Sequence, residues 1–144
     1  MFVVLDTCVL VAAARSKQGA AFAVLAALEQ RRFTALVSVP LLLEYESVLK
    51  RWEHLVGRTP AMVDAFLGAL CLYAKPVHLD YLWRPQTRDA ADEMVLETAL
   101  NGSADALITQ NKADFGKAAQ TFRLPLLAPG EFYWKHLHNH SKES

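Results

Sequence analysis

The chain has 144 residues, 53% of them hydrophobic, and its 15 basic and 15 acidic side chains cancel. That length suits one domain with a sizeable core, and that hydrophobic content excludes a disordered chain. A zero net charge argues against a protein that coats nucleic acid through bulk positive charge, yet it leaves room for acidic catalytic groups beside a local basic rim.

Phe2-Val3-Val4-Leu5 is short, β-rich and not alternating, the pattern of a strand buried on both faces of a parallel sheet. Asp6 interrupts the apolar residues at the expected carboxyl end of that strand, where open α/β sheets bind their ligands. A carboxylate buried there must be paired, protonated or bound to a metal. Val9 to Ala14 starts a helix, and Ser16 is placed as the cap of a second over Gln18 to Gln30. Ala35 to Val39 reads as the second strand, and Pro40 fits the first turn of a helix to about Glu53. Thr59-Pro60 opens another helix to about Tyr73, and Val77-His78-Leu79 is a short strand. Asp89 to Leu100 is helical and closed by Asn101-Gly102. Ala104 to Thr109 and Leu124 to Leu127 are strands, and Pro129 to His136 is a last short helix.

This alternation predicts an α/β protein with a central parallel sheet and helices on both faces. Residues 1–137 form one domain, and the polar tail 138–144 is expected to fray. Cys8 and Cys71, both in apolar surroundings, are expected to be reduced, buried thiols of a cytoplasmic protein. No secretory signal or membrane span is expected.

The acids divide by position. In the helix after the second strand, Leu41, Tyr45, Val48, Leu49 and Trp52 form one apolar sector at about 100° per residue. Glu44 falls at the edge of that sector with no opposite charge at helical spacing, whereas Glu46 has Lys50 four residues on, an ordinary surface pair. In the helix from Asp89, the residues Asp89, Glu93 and Glu97 share a polar face and Ala91, Val95, Thr98 and Ala99 an apolar one. Asp89 suits the N-cap, and Asp92 sits at the boundary in the first turn, which favours it as a ligand. After the strand ending at Ile108, the polar groups Thr109, Asn111 and Asp114 crowd another strand end. Asn111 and Asp114 would otherwise shape a turn or cap a helix. Acids after several strand ends of one parallel sheet meet on one face. Cys8 reads as a packing residue, since no cation adjoins it to lower its pKa. There is no phosphate-binding glycine loop, dinucleotide motif or HExxH zinc motif.

Four blocks in this order resemble the PIN-domain family of nucleases. They are Val4-Leu5-Asp6-Thr7-Cys8, then Ser38 through Glu44 to Arg51, then Trp83-Arg84-Pro85 with Arg88 to Ala99, and finally Ala104 through Thr109 to Phe115. The likeness covers nearly the whole chain and is similar to the VapC-type toxins of bacterial type II toxin–antitoxin pairs. Many members carry Asn where Cys8 stands, and Asp where Asn111 stands. A subgroup resembles this chain, with Asn there and Asp-Phe three residues on.

The resemblance implies a three-layer α/β/α domain with about five parallel strands. It also implies a cytoplasmic ribonuclease that hydrolyses RNA phosphodiester bonds with Mg²⁺ or Mn²⁺. Asp6, Glu44, Asp92 and Asp114 are the implied metal-binding and catalytic residues, with Thr7, Ser38, Asp89, Thr109 and Asn111 as supporting polar groups. An antitoxin partner and a homodimer follow from the same likeness. The alternatives are an RNA-processing nuclease without antitoxin, or a catalytically weak module that binds RNA or protein.

Overall fold

A computed structural model describes residues 1–55, 57–82, 87 and 89–138. Arg84 and Arg88 of the third block, and the tail beyond His138, lie outside the described residues, as does the Trp52 side chain.

Strand β1 (Phe2–Leu5) leads into helices α1 (Thr7–Arg15) and α2 (Ala20–Glu29), then β2 (Thr34–Val37). Helices α3 (Val39–Leu49), α4 (Trp52–Leu55) and α5 (Pro60–Leu72) lead to β3 (Ala74–Pro76). The chain continues through α6 (Ala90–Asn101), β4 (Ala106–Ile108), α7 (Lys112–Phe122), β5 (Leu126–Leu127) and α8 (Pro129–Phe132). A π-helical stretch, Tyr133–Leu137, follows α8 directly.

The strands form one parallel sheet in the order β3-β2-β1-β4-β5. Crossovers from β1 to β3 step one way and those from β3 to β5 step the other. Right-handed connections therefore place α1 to α5 on one face and α6 and α7 on the opposite face. α8 returns to the first face and packs on α2. This is the three-layer α/β/α architecture. β1 and β4 are neighbours whose outgoing connections leave in opposite directions, so their carboxyl ends form the topological switch point of the sheet. Val3 and Val4 point to opposite faces and are both fully buried, as the unbroken apolar run requires.

Several boundaries differ from the sequence reading. Ser16 does not cap α2, whose N-cap is Gly19; its hydroxyl accepts from the Gln18 amide instead. The second strand stops at Val37 because Ser38 is the N-cap of α3, its hydroxyl accepting from the Leu41 amide. α3 ends at Leu49 and a separate turn, α4, carries the chain on, with neither Gly nor Pro marking the break. The third strand lies at Ala74–Pro76 rather than 77–79, although the Val77 amide still donates to the Val37 carbonyl. Strands β4 and β5 are shorter than read, and Cys71 is exposed. Thr59 caps α5 and Asp89 caps α6 as expected, through the Met62 and Ala91 amides.

Glu93 and Glu97, placed on a polar helix face, are buried. The segment between β3 and α6 folds over that helix face: the Thr87 amide donates to Glu93 Oε1. The Asn101 side chain bonds the Asp80 amide and both the amide and carbonyl of Tyr81.

Candidate active site

Asp6 ends β1 and stands at the N-cap position of α1, yet it makes no side-chain cap bond. Its amide donates to the Ile108 carbonyl, which ties it to the end of β4. Its Oδ2 accepts from Thr109 Oγ1 at 2.7 Å and from Cys8 Sγ at 3.3 Å. The Thr7 amide also favours the charged carboxylate. Burial raises the Asp6 pKa, these donors pull it down, and the charge of Asp114 pushes it up.

Glu44 lies on α3, partly buried and one residue from Tyr45, which is anchored beneath Asp6 by donating to the Leu5 carbonyl at 2.5 Å. Burial raises the Glu44 pKa, Arg51 lowers it, and Asp89 and Asp6 raise it. The sequence reading saw no opposite charge near Glu44; Arg51, two turns along, supplies one. Asp92, in the first turn of α6, is pushed up to about 7, first by burial, then by Asp6, Asp114, Asp89 and Glu44. Asp114 is exposed in the first turn of α7, and its charge reaches both Asp6 and Asp92. Acids from four separate segments therefore act on one another at the carboxyl edge of the sheet.

The supporting groups sort into distinct jobs. Thr109 is fully buried; its hydroxyl donates to Asp6 and accepts from the Asn111 amide at 2.9 Å. Asn111 is exposed at the N-cap of α7 and makes no side-chain cap bond. Ser38 and Thr98 oxygens stand 2.6 Å apart. Thr98 donates its hydrogen to the Met94 carbonyl, so Ser38 is the donor to Thr98. That pair links the start of α3, which carries Glu44, to α6, which carries Asp92. Glu46 pairs with Lys50 as expected, and Lys50 also reaches Asp64 at 2.7 Å.

Sequence reasoning missed Thr98 and treated Cys8 as packing. Cys8 is only partly buried; it bonds Asp6, and its sulfur accepts from the Gln110 amide at 3.5 Å. Its place two residues after Asp6 was the available signal.

Among the described residues, no three acid, imidazole or thiol groups form a ready-made coordination cluster. The donor chemistry nonetheless fits a hard divalent cation: mutually repelling carboxylates, all oxygen, with Arg51, acting on Glu44, the one cation among the described residues that lowers any of the three raised acids.

A doubly wound parallel sheet with acids gathered at its switch point defines an α/β protein that handles its ligand at that edge. The family model for the PIN domain matches residues 2–113, and the chain belongs to the PIN-domain family, whose members are generally nucleases. No curated protein matches the chain.

Proposed function

We propose that the protein is a divalent-metal-dependent endoribonuclease of the VapC toxin type. The observation that carries this reading is the convergence of Asp6, Glu44, Asp92 and Asp114 from four segments, with burial and like charge raising the first three. Asp6, nearest the switch point, is the central ligand, and Glu44, Asp92 and Asp114 complete the set. When bound, Mg²⁺ or Mn²⁺ supplies Lewis-acid activation of water and neutralises charge on the phosphate. Thr109 holds Asp6 in place, the Thr7 amide favours its charged form, the Ser38–Thr98 link sets the spacing of the helices bearing Glu44 and Asp92, and Asp89 caps α6.

An antitoxin and a second copy are the proposed protein partners. Phe22 on α2, with Met62, Phe66 and Leu72 on α5, leaves apolar surface exposed that suits a protein contact. Among the described residues no single helix is long and apolar enough to cross a membrane.

Asp6→Asn tests the reading. It is expected to lower RNA cleavage by more than the roughly 100-fold that losing an outer-sphere partner costs. The metal-free melting temperature should stay equal or rise, because a buried charge among like charges has gone. Undiminished cleavage by this variant, in a preparation shown free of contaminating nuclease, would sink the assignment.

A further inference from the structure

We propose that Cys8 and Thr109 act together as positioning residues, holding the Asp6 carboxylate toward the acid cluster and away from the Cys8 and Val9 amides, where an N-cap carboxylate ordinarily bonds. The inference rests on the metal-dependent reading above. An aspartate at an N-cap ordinarily turns its carboxylate onto the amides of the second or third helical residue. Asp6 has that position and does not make that bond. Its Oδ2 instead receives two side-chain donors from different segments, Cys8 in the first turn of α1 and Thr109 at the end of β4.

Each donor is itself held by a backbone amide. The Gln110 amide donates to Cys8 Sγ, and the Asn111 amide donates to Thr109 Oγ1. The two donors also stand 3.8 Å from each other, so they flank Asp6 Oδ2 as a pair. A carboxylate gripped at Oδ2 from two sides cannot swing that oxygen onto the Cys8 and Val9 amides without breaking both contacts.

The two roles available to Cys8 predict opposite results. If it merely fills space, Cys8→Ala lowers stability and leaves metal affinity alone. If it positions Asp6, Cys8→Ala frees the carboxylate to cap α1: the metal-free melting temperature holds or rises while Mn²⁺ affinity falls.

The experiment is calorimetric titration of Mn²⁺ into wild type, Cys8→Ala and Cys8→Ser, with metal-free thermal melts and a metal-free crystal structure of Cys8→Ala. Cys8→Ala is expected to weaken Mn²⁺ binding about tenfold, and Cys8→Ser, which keeps a donor, to restore most of it. Wild-type Mn²⁺ affinity in Cys8→Ala overturns the proposal, and so does failure of Cys8→Ser to recover what alanine loses. If wild type binds no Mn²⁺, the metal reading falls by itself. The clamp is then judged on the crystal structure: Asp6 swung onto the α1 amides supports it, and Asp6 unmoved overturns it.

Discussion

Ser38 and Thr98 show how single hydroxyls set the geometry of the acid cluster. Their hydrogen bond joins helices on opposite faces of the sheet, and neither residue carries charge. Thr98→Val keeps the shape and removes the acceptor, leaving the buried Ser38 hydroxyl hydrogen without the oxygen it donates to. The expected cost is about 1–3 kcal/mol in denaturant unfolding. Mn²⁺ affinity should weaken too, since the Glu44 and Asp92 helices lose their link. A stability unchanged within error would mean that Ser38 finds another acceptor. At this scale Asp6, Glu44 and Asp92 could be picked out as candidates because each sits within a short span of a strand end or helix start. Thr98 could not, because its partner Ser38 is remote in sequence, and Cys8 was passed over as packing although it stands two residues from Asp6. Asn111 was read as a supporting group, but its exposed side chain makes no cap bond and its amide is what reaches the cluster.

The elements that could be read from sequence are those whose local pattern agrees with their burial. β1 is apolar throughout and buried on both faces; α5 begins at a Thr-Pro signal and α6 at an Asp cap. The edge strand β3 was misplaced because Ala74-Lys75-Pro76 has no β-forming composition; pairing with β2 alone makes it a strand, and an edge tolerates the proline. The face of α6 was misjudged because helical periodicity reports polarity, not what a later loop covers. Gly102, at the C-cap of α6, was read as a helix stop and does more. A Cβ there would lie 2.8 Å from Leu36 Cδ1, 2.9 Å from Val77 Cγ2 and 3.0 Å from the Thr98 carbonyl oxygen. Leu36 is in the core and Val77 is β-branched, so neither yields freely. Gly102→Ala is expected to cost about 1–3 kcal/mol, measured as a lower denaturation midpoint with unchanged slope. A wild-type midpoint would show that α6 and β2 separate more easily than their packing implies.

For the molecule as a whole, the acid cluster makes metal-free stability depend on pH. Asp92 titrates near 7 when folded, against an ordinary 3.8. Between those values the folded protein holds a proton that the unfolded chain has released, so stability declines as pH rises through the window. The benefit is complete below the lower value and gone above the upper one. Asp6 and Glu44 are displaced in the same direction and add to the slope. Glu131 works the other way: the Lys112 ammonium beside it lowers its pKa, so its contribution is lost only as pH falls below the ordinary glutamate range. In metal-free buffer the melting temperature should therefore be lower at about pH 8 than at about pH 5. Asp92→Asn should flatten that difference, which separates the cluster from the rest of the protein's titration. Divalent cations compete with the same protons. Mn²⁺ at about a hundred times its Kd should return about 2.7 kcal/mol at the higher pH and much less at the lower. An Asp92→Asn protein with the wild-type pH slope would place the dependence outside the cluster. A wild-type protein indifferent to Mn²⁺ at both pH values would leave the carboxylates as neighbours rather than ligands.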